Sequence, residues 1–171
     1  MKSLDRDTLI LTIGIPTFNR SDAVCARLKE LIALEIANHI EILVIDNHST
    51  DGTTENLHKI RIPSRLISKI QIISNESNLG FVGNFFSLFD HCKSEYLLVC
   101  SDEDQITESG LRRLMEFLGE NSPDFVSPQA EVNGRLYRGR KTLTEIDSHN
   151  IKMRRFTYPV CASRLNPQRN T

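Results

Sequence analysis

Four short runs of Ile, Leu and Val recur along the first two-thirds of the chain at intervals that admit few architectures. They occupy residues 8–15 (TLILTIGI), 41–45 (EILVI), 70–74 (IQIIS) and 96–100 (YLLVC). Taken from about 9, 41, 70 and 96, their starts are 32, 29 and 26 residues apart. Near-continuous hydrophobicity in so short a run marks strands buried on both faces, as in a parallel sheet. The spacing is that of a βαβ unit, whose crossover is right-handed almost without exception.

Helical patterns fill the gaps. Ser21 stands as an N-cap ahead of a stripe of Val24, Leu28, Leu31 and Ile32. A shorter helix is expected from about Thr53. Another is expected over 82–91, with Phe85, Leu88 and Phe89 turned inward. Thr107 caps a helix carrying Leu111, Leu114, Met115 and Leu118, stopped by Gly119 and Pro123. Residues 124–127 (DFVS) offer a fifth strand, Gly134 and Gly139 can close a hairpin, and 164–171 has no periodicity. The predicted fold class is α/β, an open and mostly parallel sheet with helices on both faces.

At 171 residues this is one domain's worth of chain, and 39% hydrophobic with 25% charged residues suits a soluble core. No apolar run approaches the ~20 residues that span a bilayer. Asp5 and Asp7 in front of the first run, and Pro16 after it, do not fit a secretory signal. Cys25, Cys92, Cys100 and Cys161 form no CxxC, which predicts reduced thiols in a cytoplasmic protein rather than disulfides or a zinc finger. The net charge of −1 conceals an asymmetry: residues 1–134 carry 12 Lys and Arg against 20 Asp and Glu, and residues 135–171 carry 9 against 2. The basic end is expected to be a solvated tail, or else to meet anionic lipid heads at the inner face of a membrane. No nucleic-acid partner is expected.

In an open parallel sheet, ligands bind beyond the carboxyl ends of the strands. After the first strand comes Pro16-Thr17-Phe18-Asn19-Arg20, after the second Asp46-Asn47-His48-Ser49-Thr50-Asp51-Gly52-Thr53, and after the fourth Ser101-Asp102-Glu103-Asp104. In an extended segment Asp102 and Asp104 share a face, and their mutual repulsion raises their proton affinity. A hard divalent cation, Mg²⁺ or Mn²⁺, relieves that repulsion and takes further ligands from phosphates. The structural alternative is an acidic turn capping the next helix. Asp46 can accept hydrogen bonds from a base or ribose, or close an Asx-turn. Asp51-Gly52 can be a turn or help position a ligand. Gly80 and Gly83, in NLGFVGN, mark a loop entering a helix whose amides could face an anion, without the GxGxxG or P-loop pattern. His48 lies in the same loop region as Asp46, and the other histidines are scattered.

Together these stretches resemble the family 2 glycosyltransferases with the GT-A fold. The resemblance is carried by residues 13–20 (IGIPTFNR), 41–53 (EILVIDNHSTDGT), 78–84 (NLGFVGN) and 95–104 (EYLLVCSDED), in the family's order and at roughly its spacing. It covers about residues 8–130 and looks most like bacterial transferases that build surface polysaccharides. It implies a nucleotide-sugar-binding core over 1–130, with 131–171 the start of an acceptor region or a basic tail. It implies that Pro16, Thr17, Asn19 and Arg20 line a nucleotide pocket and that Asp46 holds the base. Asp51, Gly80 and Asn84 would shape the donor pocket, and Asp102 would lie near ribose and metal. Asp102 and Asp104 would hold the cation bridging the donor's diphosphate.

The implied reaction moves a sugar from a nucleotide-diphosphate donor to a hydroxyl of a saccharide or lipid-linked acceptor, with inversion. The cation would act as a Lewis acid, and a carboxylate base would deprotonate the acceptor. That base normally lies well downstream of the DxD element. The chain ends 67 residues after Asp104, with Glu131, Glu145 and Asp147 the only carboxylates beyond Asp124, so no base is assigned and the acceptor half is expected to be truncated. Two alternatives stand beside this reading. One is a nucleotide-sugar-binding remnant without transfer. The other is an aspartate-nucleophile phosphatase, resembled by YLLVCSDEDQI but with Ile106 where Thr or Val is usual and with its strand in fourth place.

Overall fold

The computed structural model describes residues 11–123 in full and, beyond them, the backbone of five short strands. Four parallel strands form the centre: β1 (Leu11–Thr17), β2 (Glu41–Asp46), β3 (Ile70–Ser74) and β4 (Tyr96–Val99). They lie in the order β3-β2-β1-β4, so the chain builds outward from β1 in both directions. All four hydrophobic runs are therefore strands, and all run parallel. Register brings Thr17 opposite Asp46, and Asp46 opposite Ser74, at one rim of the sheet.

The alternation of side chains divides the core in two. Leu11, Ile13 and Ile15 of β1, Ile42 and Val44 of β2, and Tyr96 and Leu98 of β4 point to the larger layer. There they meet α1 (Ser21–Ala33), α2 (Thr53–His58) and α4 (Glu108–Asn121). Leu43, Ile45 and Leu97 point to the other face, where α3 (Gly80–His91) supplies Leu88. Gly14 permits that close approach: a Cβ there would lie 2.9 Å from Leu97 Cδ1 and 3.0 Å from Leu88 Cδ2. Helices thus cover both faces, three on one and one on the other.

Several local expectations need correction. Arg20, not Ser21, is the N-cap of α1, and its side chain makes no capping bond. On α3 the buried residues are Asn84, Ser87 and Leu88; Phe85 and Phe89 are only half-buried, while Phe81, Val82 and Phe86 are exposed. Thr107 does cap α4, accepting from the Gly110 amide at 3.2 Å, but the helix runs past Gly119 to Asn121 and ends where Ser122 turns left-handed. A glycine without a positive φ does not stop a helix by itself.

Beyond residue 123, β6 (Phe125–Val126) lies in the expected fifth run, but it does not pair with β4. The strand β10 (Ala162–Arg164) lies between them, antiparallel to both. A second sheet has the order β5-β9-β7-β8, from β5 (Gln105–Ile106), β9 (Ile151–Lys152), β7 (Ala130–Val132) and β8 (Arg135–Tyr137). β7 and β8 pair antiparallel, with Val132 opposite Arg135; Gly134, Gly139 and Cys161 lie outside the described residues. Cys25, Cys92 and Cys100 are free thiols. No helix among the described residues is long and apolar enough to cross a membrane.

Candidate functional site

The segments following β1, β2 and β4 meet at the carboxyl rim of the sheet. Main-chain bonds continue the strand pairing past its formal ends: the Asn47 amide donates to Thr17 O at 2.9 Å and the Asn75 amide to Asp46 O at 2.8 Å. Pro16 and Thr17 are the last residues of β1, half-buried and buried respectively. Asn19 follows with φ of 51°. Its amide donates to Ser49 Oγ at 2.8 Å, and its Oδ1 accepts from the Thr50 amide at 2.8 Å. The loops after β1 and β2 are therefore fastened together at two points.

Asp102 joins this assembly from the far side. Its Oδ2 accepts from Arg20 Nε at 2.8 Å and from Thr17 Oγ1 at 3.3 Å, and Arg20 Nη2 also pairs with Glu103 Oε1. Residues 101–104 form a turn rather than an extended strand, with the Asp104 amide donating to Ser101 O at 3.1 Å. Asp102 and Asp104 consequently do not share a strand face. Asp104 folds back, its Oδ2 accepting from the Ser101 amide at 2.8 Å, while its buried Oδ1 has no hydrogen-bond partner among the described residues.

Both carboxyls are held above the ordinary aspartate range, chiefly by burial and not by mutual repulsion. For Asp102 the Arg20 guanidinium offsets part of that rise. For Asp104 the Ser101 amide and Arg27 do so, and Asp102 adds only a lesser upward push. Among the described residues no group of three or more His, Cys, Asp and Glu is arranged to hold a metal.

Asp46 is fully buried at the end of β2. Its Oδ1 accepts from Ser49 Oγ, and its Oδ2 from Thr54 Oγ1 and from the Ser49 amide at 3.3 Å. It thus folds the loop onto α2. Asp51 is exposed and acts on two helices: Oδ2 accepts from the Ser21 amide at 3.2 Å and Oδ1 from the Thr53 amide at 3.1 Å. The bond from Thr53 Oγ1 is the main reason its carboxyl lies below the usual range.

A chain of asparagines, of which the sequence singles out only Asn84, ties α3 to this rim. Buried Asn47 donates to Asn78 Oδ1 at 2.8 Å and to Gly80 O at 3.2 Å, while its Oδ1 accepts from the Leu79 amide at 2.9 Å and Asn75 Nδ2 at 3.1 Å. Asn75 Nδ2 also reaches Asn84 Oδ1 at 3.0 Å, and Asn84 Nδ2 lies 3.3 Å from both Thr17 O and Ile45 O. Gly80 opens α3 with φ of 69°, a conformation suited to glycine. His48, at φ 64°, places Nδ1 3.3 Å from Asn75 O. For Asn47, Asn75 and Asn78 the only sequence signal was the density of Asn in the loops, each of which passes for an ordinary turn residue.

Residues 12–165 match the profile of glycosyl transferase family 2, and the chain belongs to that family. The match decides against the phosphatase alternative. The chain is 29% identical over 113 residues to an uncharacterized glycosyltransferase of Haemophilus influenzae, covering 66% of this chain and 33% of that protein. It is 27% identical over 125 residues to the abequosyltransferase RfbV of Salmonella typhimurium, covering 72% and 37% respectively. The chain spans about a third of the length of these curated relatives.

Among solved structures, S. aureus TarS 1-349 superposes with a TM-score of 0.67 at 22% identity, over 91% of this chain and 47% of that one. The same protein in complex with UDP-GlcNAc gives 0.62, over 74% and 36%. The mannosyltransferase PcManGT from Pyrobaculum calidifontis, in complex with GDP-Man and Mn²⁺, gives 0.58 at 16% identity, over 69% and 34%. These likenesses establish the GT-A fold.

Proposed function

We propose that this chain forms the donor-binding part of a glycosyltransferase that moves a sugar from a nucleotide diphosphate to a hydroxyl acceptor. The observation that carries the reading is the joining of Thr17 and Arg20, at the end of β1, to Asp102, after β4, across the carboxyl rim of a parallel sheet. TarS with UDP-GlcNAc and PcManGT with GDP-Man share this fold, which supports a nucleotide-sugar donor here. In this reading Pro16, Thr17, Asn19 and Arg20 line the nucleotide pocket. Asp46 sits at the base end; since its oxygens already accept from Ser49 and Thr54, contact with a base exchanges one of those bonds for another. Asp51, Gly80 and Asn84 define the pocket edge by fixing the loops around it.

The donor set at Asp102 and Asp104 fits a hard divalent cation: the ligands are carboxylate oxygens, and Asp104 Oδ1 is an unpartnered acceptor among the described residues. Mg²⁺ or Mn²⁺ held there supplies Lewis-acid neutralisation of a departing diphosphate. Arg20 adds a fixed positive charge at the same rim, positioned by Asp102 and Glu103. Inversion at the anomeric carbon, a saccharide or lipid-linked acceptor and a role in bacterial surface polysaccharide synthesis complete the proposal. Its setting would be the cytoplasm or the inner membrane surface. The side chains of Glu131, Glu145 and Asp147 lie outside the described residues, and no base is assigned.

Calorimetry with UDP-sugars and GDP-sugars tests the reading. Binding is expected in Mn²⁺ or Mg²⁺ and not in chelator, and Asp104→Ala is expected to abolish it while circular dichroism stays unchanged. Equal affinity in chelator, or in Asp104→Ala, would overturn the cation assignment. Binding of neither donor class with cation present would overturn the donor site.

A further inference from the structure

Arg27 is the only buried Lys or Arg among the described residues, at 8% exposure. It lies on the inward stripe of α1 with Val24, Leu28 and Leu31. A guanidinium in such a position is costly unless its charge and its N–H groups find partners. Its outer edge has one, because Nη1 pairs with Glu30 Oε2, itself largely exposed. Its inner edge does not: Nε is buried and without a hydrogen-bond partner among the described residues.

Asp104 has the opposite deficit. It is 3% exposed, and the Oδ1 left over after its bond from Ser101 is buried and equally unpartnered. Leu28 and Leu31, the apolar neighbours of Arg27 on the stripe, belong to the same packed layer as Cys100 and Ile106, which flank Asp104 in sequence. Arg27 acts electrostatically on both Asp104 and Cys100. An unsatisfied buried donor and an unsatisfied buried acceptor of opposite charge thus border the same packed layer, with no hydrogen bond between them.

We propose that Arg27 is a positioning residue for Asp104, an internal counter-charge that draws on the same unpartnered carboxylate oxygen that serves the donor site. This rests on the cation reading of Asp104 given above. Arg27 is permanently charged, so it divides the pull of the carboxylate between the interior and any divalent cation at the rim. Its removal therefore destabilises the cation-free protein and makes Asp104 a stronger cation ligand.

A double-mutant cycle with a binding arm tests this. Arg27→Met keeps the apolar stem without the charge, and Arg27→Lys keeps a charge. In chelator, Arg27→Met is expected to lower Tm by roughly 3–8 °C, and most of that loss is expected to vanish when Asp104→Asn is already present. By electron paramagnetic resonance at pH 8, Mn²⁺ is expected to bind Arg27→Met roughly three- to tenfold more tightly than the unmutated protein, with Arg27→Lys close to the latter. Equal Tm losses in the two backgrounds would overturn the proposal, as would weaker or unchanged Mn²⁺ binding in Arg27→Met. If Arg27→Met does not fold, recovery of folding in the double variant supports the coupling and continued failure refutes it. Absence of Mn²⁺ binding to the unmutated protein would instead remove the cation reading, with the thermal cycle still deciding the role of Arg27.

Discussion

Arg20 Nε donates to Asp102 Oδ2 at 2.8 Å, joining the loop after β1 to the turn after β4 across 82 positions of sequence. Arg20 is largely solvent-facing while Asp102 is enclosed, so the pair faces the open side of the rim. The guanidinium works against burial, which otherwise drives the Asp102 carboxyl upward.

Arg20→Ala is expected to change function more than stability. An exposed partner of this kind contributes about 1 kcal/mol or less to folding. Donor binding is expected to weaken by roughly tenfold, with Arg20→Lys intermediate because it keeps charge but loses the planar fork. The acid limb of the binding profile is expected to move to higher pH, since Asp102 loses the group that favours its ionised form. Calorimetric titration of donor binding between about pH 5 and 8 checks this. An unmoved acid limb would mean that Asp102 ionisation does not govern binding.

Asp51 gives a stability prediction, from a carboxyl shifted in the opposite direction to that of Asp102. One exposed carboxylate caps the first turns of α1 and α2, and its proton affinity is lowered by Thr53. A depressed folded-state pKa contributes stability above the ordinary aspartate range and loses it as pH falls through that range. Asp51→Ala is expected to cost about 1 kcal/mol at pH 7, measured by urea unfolding. The gap between variant and unmutated protein is expected to narrow toward about pH 3.

Asn47→Ala removes a side chain that makes four bonds, to Asn78, Gly80, Leu79 and Asn75. Several polar groups then lose partners at once, at a cost of about 2–3 kcal/mol. The loss is expected to be local first. Hydrogen exchange at the amides of 79–83 is expected to quicken by more than at the β1 amides, because α3 is held to the rim through Asn47. Uniform quickening across both would mean the network serves only global stability.

The central sheet was legible because its signal is local and redundant. Each of the four strands is a dense aliphatic run, and their spacing leaves room for one crossover apiece. The rim position of Thr17, Asp46 and Asp102 followed from those strands alone. What escaped depends on contacts distant in sequence. Ser21 looks like a cap in its own window, but Asp51, from another loop, caps its amide instead. The alternation argument for Asp102 and Asp104 assumed an extended segment, whereas the return of Asp104 to the Ser101 amide makes a turn. Arg27 is invisible to periodicity, which expects an aliphatic residue at an inward helix position. The insertion of β10 between β4 and β6 has no local signature, because it pairs residues more than sixty positions apart.

The bonds from Asn47 to Thr17 O and from Asn75 to Asp46 O involve only amides and carbonyls. A lattice made of main chain is indifferent to which side chains decorate it. Phe18 and Thr50, both exposed beside that lattice, can therefore be exchanged with little penalty to the scaffold, making them natural positions for a directed-evolution library, whereas His48, at φ 64°, tolerates fewer replacements.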